Sequence, residues 1–224
     1  HAQWHSLALQ LIDAYAGAME KQPADTDQMA YIQITRGVAM RDHVMPPGLT
    51  PTVFVTSNRM YIYPERDRDE GVACVTADDF RWKKAHVKSI SLASAVLARQ
   101  LSADVGANET IMFRDGLLSE AAASNVWLVQ GGRLTGTPKD NLVLEGIRYG
   151  LLETLCREAG IPFELRRIGR EEIFAADELL LSSATKEVLP VTLLDGQPIG
   201  SGRPGPIYQR LYAGYQRAKQ ASTS

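Results

Sequence analysis

The sequence has only two cysteines, Cys74 and Cys156, and they lie far apart without the spacing of metal ligands. We therefore expect neither a disulfide framework nor a metal site. The sequence also lacks an apolar run long enough to span a bilayer, and it shows no signal-peptide pattern. Basic and acidic residues nearly balance, for a net charge of −2, so no attraction to nucleic acid or to an anionic membrane is predicted. These absences predict a soluble cytoplasmic protein.

The first residues of the chain already follow a helical pattern. In residues 1–21 the apolar side chains recur at the spacing of one helical face, and no capping signal precedes them. We therefore expect the chain to be a fragment from which an N-terminal piece is missing.

Strand-like segments outnumber helical ones in the rest of the sequence. Strands are predicted at 29–36, 50–57, 71–77, 109–113, 117–121, 125–130, 132–137, 163–168, 178–183 and 188–194. Helices are predicted at 91–107 and 146–160, around 170–176 and at the C-terminus. Runs of adjacent strands broken by single helices indicate an α+β fold with antiparallel sheets rather than a doubly wound parallel sheet. A polar segment with a proline and a run of charges, residues 57–71, is predicted to be a linker.

Lys88 stands where two unlike patterns meet, in the stretch HVKSISLASAVLARQ. The residues before it mix charge with aromatic rings, and the residues after it are small and apolar with helical spacing. Because Val87 and Ile90 flank it, we expect a largely buried segment, where an ammonium group is costly unless it is paired or has lost its proton. Taken alone, this lysine is better explained by a stem that covers apolar surface and an amine that reaches water.

Three other stretches carry groups that could bind a charged ligand. Glu120, in GLLSEAAASNVWLV, ends a predicted strand and precedes small residues that let a flat ligand approach the backbone. The motif EGIRYG opens a helix with a glycine, so the first N–H groups are free for an anion, and SSAT at 182–185 supplies hydroxyl and backbone donors. A lysine, an acid and two anion-binding segments are together the groups needed to hold pyridoxal phosphate.

The chain resembles the fold-type IV pyridoxal-phosphate aminotransferases, and most of all their D-amino acid aminotransferase branch, over nearly its whole length. Five segments carry the resemblance in the family's order and spacing: YIQITRGVAMRDHVMP, HVKSISLASAVLARQ, GLLSEAAASNVWLV, LVLEGIRYGL and ELLLSSATKEVLPV. The resemblance implies a homodimeric enzyme with two domains. Residues 1–62 would be the remainder of a small α/β domain truncated at its N-terminus, and residues 63–224 a larger cofactor-binding domain, a pseudo-barrel of strands with flanking helices.

The resemblance also implies which residues form the site. Lys88 matches the lysine that holds the cofactor covalently, Glu120 the glutamate that pairs with the pyridinium nitrogen, and Leu144 the leucine that packs on one face of the ring. Phosphate contacts are implied in two segments, at Ile147, Arg148, Ser183 and Ala184. Arg148 replaces a threonine that is frequent in the family, and Ala184 stands where a hydroxyl residue can occur, so backbone donors remain there. The family's N-terminal portion, missing here, supplies a further arginine to the phosphate.

Arg41 and His43, in the motif RDH, match the arginine and histidine that many D-amino acid aminotransferases place around the substrate's α-carboxylate. If the strand before them continues, the alternation of side chains along it points both residues in one direction. Together they would then form a binding site for a carboxylate. The resemblance therefore favours transamination between a D-amino acid, such as D-alanine or D-glutamate, and a 2-oxo acid. The alternatives are a branched-chain aminotransferase or a 4-amino-4-deoxychorismate lyase of the same fold, and a non-catalytic fragment.

Overall fold

The computed structural model describes residues 2–19 and 27–222, and their contacts divide the chain into two units, His1–Tyr61 and Ile62–Ser224. The division lies inside the predicted linker, one residue before the predicted domain boundary. The assignment of the two units to the small and large domains of an enzyme stays a prediction.

The first unit contains helix α1 (Ala2–Ala18) and a two-stranded antiparallel sheet of β1 (Gln28–Thr35) and β2 (Thr52–Arg59). β-branched and aromatic side chains favour both strands, which pair without a register shift along their whole length. The predicted strands and helix are confirmed, although the first residue and the last two residues of the predicted helix lie outside the described part of the chain.

The second unit contains the remaining helices and strands. They are α2 (Glu65–Asp69), β3 (Val72–Asp78), α3 (Ala93–Asp104), β4 (Glu109–Arg114), β5 (Leu117–Ala121), β6 (Asn125–Gln130), β7 (Arg133–Gly136), α4 (Arg148–Glu158), β8 (Phe163–Leu165), α5 (Arg170–Phe174), β9 (Glu178–Ser183), β10 (Glu187–Leu194), β11 (Gln197–Pro198) and α6 (Pro206–Ser222). The elements predicted for this region are present, and α2 and β11 are additional.

The strands of the second unit form a single sheet in the order β5-β4-β3-β10-β9-β6-β7-β8, with β11 beside β10. Most neighbours are antiparallel, but β3 is parallel to both β4 and β10, and β7 is parallel to β8. The expectation of antiparallel sheets is therefore wrong in part. Helix α3 connects β3 to β4 as a crossover, and such a connection makes the two strands parallel.

The two edges of this sheet meet. On the β5 edge, the Leu118 N–H donates to the Ile168 carbonyl at 2.8 Å, and Gly116 accepts from the Arg170 N–H at 3.0 Å. Ile168 and Arg170 follow the strand at the opposite edge, so the sheet curls into the pseudo-barrel that the resemblance implies, and the α+β assignment is confirmed.

Side chains that alternate along the strands of the sheet pack into two hydrophobic clusters, one on each face. Trp127 packs in a cluster with α4 and α6, while Leu128, the next residue of β6, packs in the other cluster with β4 and α5. The GG turn between β6 and β7 has positive φ at both residues, +57° at Gly131 and +75° at Gly132, which a tight hairpin requires. No helix among residues 2–19 and 27–222 combines the length and apolarity needed to cross a membrane.

Candidate active site

Glu120 lies on β5 with its carboxylate enclosed, since the side chain is only 7% exposed. Arg81 Nη1 donates to Oε1, while Asn125 Nδ2 and the Leu144 backbone N–H donate to Oε2, both at 3.1 Å. A carboxylate offers about four acceptor positions, so one position remains for a further donor. Glu120 is therefore held in a fixed orientation and is not a solvated acid at a strand end.

Arg81 is in turn fixed by Asp79, which follows the end of β3. Arg81 donates from Nε to Asp79 Oδ1 and from Nη2 to Asp79 Oδ2, both at 2.9 Å. Arg81 Nη2 also donates to the Leu142 carbonyl at 3.1 Å, and Arg114 Nη2 lies 3.2 Å from Asp79 Oδ2. With Glu120, two acids and two arginines form one electrically balanced cluster, in which the bidentate pair fixes the geometry.

The two acids of this cluster differ in proton affinity. Burial raises the pKa of Glu120 to about 7, and the charge and hydrogen bond of Arg81 offset only part of this effect. Burial also opposes the charge of Asp79, but the hydrogen bonds and charge of Arg81 outweigh it and hold the pKa of Asp79 below its usual value. Glu120 is thus the acid that changes charge near neutral pH, as groups at functional sites often do.

The segment before α4 wraps around Asn125, which follows the run of small residues after Glu120. Asn125 Nδ2 donates to the Leu144 carbonyl at 2.9 Å as well as to Glu120. Gly146 packs so closely on this side chain that a Cβ there would lie 2.1 Å from Asn125 Oδ1. A side chain at position 146 would displace the Asn125 amide, so glycine lets the segment before α4 pack directly on the side chain that donates to Glu120.

Helix α4 begins at Arg148 with Ile147 as its N-cap, and no side chain caps its first turn. Arg148 donates from Nε to the Ser183 carbonyl (3.3 Å) and from Nη2 to the Ala184 carbonyl (3.1 Å). Its guanidinium also lies over the Tyr215 ring, 4.9 Å from the centroid. The two segments that were predicted to bind phosphate therefore meet, and the arginine that replaces a family threonine connects them.

Ser183 ends β9, and Ala184 begins the turn into β10. The Ser183 hydroxyl accepts a hydrogen bond from the Lys186 N–H at 3.0 Å and lies 3.5 Å from the Thr185 hydroxyl. An uncapped helix start beside this turn and beside a guanidinium is a combination suited to an anion.

Lys88 lies in a segment of turns between β3 and α3, and it is exposed. Val87 and Ile90 are 44% and 64% exposed, so the expectation of a buried segment is wrong for the described chain. A segment of turns has no regular face that packs against the sheet, which explains why apolar residues at these positions are not buried. Two residues before Lys88, His86 Nδ1 lies 3.3 Å from the Asn141 carbonyl, which places the segment against the loop that leads to α4.

Arg41 and His43 belong to the first unit and are exposed. β1 ends at Thr35, the chain bends at Arg41, His43 and Val44, and Asp42 Oδ1 accepts the backbone N–H groups of His43 (2.6 Å) and Val44 (3.3 Å). The strand does not continue to these residues, so the argument from strand alternation is wrong. Their role at a substrate carboxylate stays a prediction.

Sequence reasoning missed four residues of the cluster around Glu120: Asp79, Arg81, Arg114 and Asn125. Asn125 directly follows the AAAS run that was noted, and Asp79 and Arg81 stand two apart after a predicted strand. Alternating charge of this kind is a weak signal, because it is equally typical of a solvated surface. Only the contacts between distant segments identify these residues.

Comparison with known proteins gives one family. Residues 6–194 match the profile described as class IV aminotransferase. The D-alanine aminotransferase of Bacillus licheniformis is 38% identical over 195 residues, which cover 87% of this chain and 68% of that protein. The D-alanine aminotransferase of Staphylococcus haemolyticus is 32% identical over 194 residues, with 87% and 69% covered.

Solved structures agree with this family. The branched-chain amino acid aminotransferase of Escherichia coli superposes with a TM-score of 0.71 at 27% identity, covering 82% of this chain and 63% of that one. A fold IV transaminase of Curtobacterium pusillum superposes with a TM-score of 0.75 at 23% identity, covering 94% and 71%. The chain thus spans about two thirds of the length of the proteins it matches.

Proposed function

The chain belongs to the class IV aminotransferase family, and from this premise we propose that it forms part of an enzyme that exchanges an amino group between a D-amino acid and a 2-oxo acid. The observation that carries the proposal is the enclosed Glu120 carboxylate, which keeps one acceptor position and lies beside an uncapped helix start. The D-alanine aminotransferases among its relatives support the choice of a D-amino acid.

Class IV aminotransferases use pyridoxal phosphate, and residues of the second unit fit both ends of this group. The open acceptor position of Glu120 suits the N–H of a protonated pyridine ring. Backbone N–H groups at Ile147, Arg148 and Ala184, with the Ser183 hydroxyl, would hold the phosphate. Leu144, whose backbone already contacts Glu120, would pack on one face of the ring.

Bound pyridoxal phosphate supplies an electron sink for the electron pair left at the α-carbon of the amino acid. Lys88 would hold the group covalently through Nζ and, when released, would move a proton to and from the substrate α-carbon. Glu120 would keep the ring nitrogen protonated. Because its orientation is already fixed by three donors, it would need no reorganisation during the reaction.

Arg41 and His43 would bind the α-carboxylate of the substrate, with the guanidinium as a bidentate donor. Only the match of the motif RDH to D-amino acid aminotransferases supports this role. A branched-chain aminotransferase is the second candidate, because the Escherichia coli enzyme of that name superposes on this chain at 27% identity. A 4-amino-4-deoxychorismate lyase or a non-catalytic fragment would fit the same fold.

Borohydride reduction followed by peptide mapping tests the cofactor assignment. Reduction fixes the cofactor on the amine that holds it, so the protein should carry a pyridoxyl label on Lys88. Lys83 and Lys84, which are exposed in the same segment, serve as internal controls. A label on either of these residues instead would overturn the role of Lys88.

Initial rates with different amino acids test the substrate assignment. With 2-oxoglutarate or pyruvate as acceptor, D-alanine or D-glutamate should turn over much faster than L-leucine, L-valine or L-isoleucine. Arg41→Ala should raise KM for the amino acid more than it lowers kcat, because a carboxylate contact is present before and during the reaction. Faster turnover of the branched-chain L-amino acids would transfer the assignment to the branched-chain enzymes.

A further inference from the structure

Arg81 contacts the carboxylate on which the proposed chemistry depends, although the sequence assigned it no role. Its Nη1 donates to Glu120 Oε1, while Nε and Nη2 hold Asp79 and Nη2 also reaches the Leu142 carbonyl. The Arg81 side chain is only 11% exposed, so water screens its charge weakly. The guanidinium is thus fixed on one side by Asp79 and directed on the other at Glu120.

We propose that Arg81 is a positioning residue for the reaction: it favours the ionised form of Glu120 and keeps the carboxylate turned toward the ring nitrogen of the cofactor, while Asp79 holds Arg81 in place. This inference rests on the proposed function, which gives the Glu120 carboxylate its partner. Arg81 acts through Glu120 and is not assigned a contact with the substrate.

The groups that face Glu120 come from several elements. Arg81 and Asp79 follow β3, Asn125 begins β6, the Leu144 N–H precedes α4, and Tyr149 lies on α4. Burial and the charge of Asp79 favour the protonated acid, whereas Arg81 and the Leu144 N–H favour the carboxylate. Arg81 has the largest of the effects that lower the Glu120 pKa, so without Arg81 the acid would be protonated at neutral pH and could not keep the ring nitrogen charged.

Arg114 provides a matched control in the same cluster. It lies 3.2 Å from the same Asp79 oxygen as Arg81 and is similarly enclosed, at 13% exposure. Its Nη2 also donates to the carbonyl oxygens of Arg81 (2.8 Å) and Asp79 (3.4 Å). Arg114→Gln therefore removes a comparable positive charge without removing a donor from Glu120.

The test is the titration of Glu120 in the cofactor-free protein, followed by the ¹³C shift of its carboxyl carbon and assigned by loss of the signal in Glu120→Gln. Arg81→Gln should raise the titration midpoint by about one pH unit or more. Arg81→Lys retains a positive charge and should stay closer to wild type, and Arg114→Gln should shift the midpoint by less than half as much as Arg81→Gln. An unchanged midpoint in Arg81→Gln, or an equal shift in Arg114→Gln, would overturn the proposal.

The protein loaded with pyridoxal phosphate gives an independent readout. Arg81→Gln should lose kcat at neutral pH and regain part of it at higher pH, where Glu120 ionises again, while KM for the amino acid changes less. A uniform loss at every pH would indicate a structural role only and contradict the inference. A wild-type protein that neither binds pyridoxal phosphate nor transaminates would instead refute the proposed function, and the titration would still decide the effect of Arg81 on Glu120.

If Arg81→Gln does not fold, the wild-type protein supplies the deciding measurement. The ¹⁵N resonances of the Arg81 guanidinium should shift with pH at the Glu120 midpoint, and this step should disappear in Glu120→Gln. Guanidinium resonances that do not follow the Glu120 titration would overturn the coupling.

Discussion

Glu109 and Glu120 are enclosed carboxylates on the neighbouring strands β4 and β5, and each accepts from a cation, a polar side chain and a backbone N–H. Glu109 accepts from Lys186 Nζ (2.9 Å), the Ser124 hydroxyl (2.9 Å) and the Thr110 N–H (3.1 Å). The corresponding donors of Glu120 come from Arg81, Asn125 and Leu144. Two acids on neighbouring strands thus have the same number and kinds of donor.

The two carboxylates differ in how far solvent or a ligand can reach them. The Glu109 side chain is 0% exposed, so the ion pair is sealed at its carboxylate, and only its partner Lys186, in the turn before β10, reaches the surface, at 8% exposure. The Glu120 side chain is 7% exposed and lies among loops that lead to the uncapped start of α4. A sealed ion pair can only hold segments together, whereas an acid at the margin of the core can also receive a ligand.

Ser124 and Asn125 connect the surroundings of Glu109 directly to those of Glu120. They are consecutive residues, yet Ser124 donates to Glu109 and Asn125 donates to Glu120. One short segment, the end of the bend before β6 and the first residue of β6, therefore contacts both acids. The comparison therefore predicts that changes around Glu109 act on stability and changes at Glu120 act on chemistry.

Lys186→Met should have the largest effect, because it leaves Glu109 buried without its cation. We expect the free energy of unfolding to fall by about 4 kcal/mol in the cofactor-free protein, measured by urea denaturation. Lys139→Met is the control, since its partner Glu145 is exposed, and it should change the stability by less than about 1 kcal/mol. Equal losses in both variants would remove the distinction between sealed and exposed pairs.

The second-largest effect should be a dependence of the free energy of unfolding on pH that is caused by the titration of Glu120. Burial raises the pKa of Glu120 from its ordinary value of 4.5 to about 7, so folding favours the protonated acid. The stabilisation from the protonated Glu120 is fully present below pH 4.5. As the pH rises through 7 this stabilisation is lost, and the free energy of unfolding falls by about 3 kcal/mol. Glu120→Gln should lack this component in urea titrations of the cofactor-free protein. An identical pH profile for wild type and variant would contradict the assignment.

Glu120→Gln should lower the rate of the reaction without releasing the cofactor. A neutral amide cannot keep the ring nitrogen protonated, so kcat of the protein loaded with pyridoxal phosphate should fall roughly 100-fold while the cofactor stays bound, a loss of about 2.7 kcal/mol in transition-state stabilisation. Glu109→Gln is the matched control, and its folded fraction should retain kcat within about threefold. Unchanged turnover in Glu120→Gln would refute its role.

Replacing both members of the sealed pair should have the smallest effect. In the double variant Glu109→Leu with Lys186→Met, no charge is left unpaired, so the free energy of unfolding should lie within about 1 kcal/mol of wild type. Urea denaturation of the single and double variants forms a double-mutant cycle. A double variant as unstable as Lys186→Met alone would show that packing, and not the unpaired charge, causes the loss.

Residues whose neighbours in the sequence set their conformation were predicted well. The segments 117–121, 125–130 and 178–183 are strands with the predicted bounds, and Gly160, the last residue of the predicted helix 146–160, has a positive φ of 63° just after α4 ends. Predictions that required distant segments were less accurate. Lys88 was expected in a buried segment, but burial depends on what packs over a segment. The shared direction of Arg41 and His43 required β1 to continue, but the strand ends where its pairing partner ends.

The sequence by itself determined the strands and helices, the family, and the candidate residues Lys88 and Glu120, because local periodicity and ordered motifs need no knowledge of distant contacts. Only the tertiary structure decided that Arg81 contacts the Glu120 carboxylate and that Arg148 joins the two predicted phosphate segments. It also decided which of two similar acids is sealed. These properties depend on dehydration and on contacts between residues far apart in the chain, and both arise only when the chain folds.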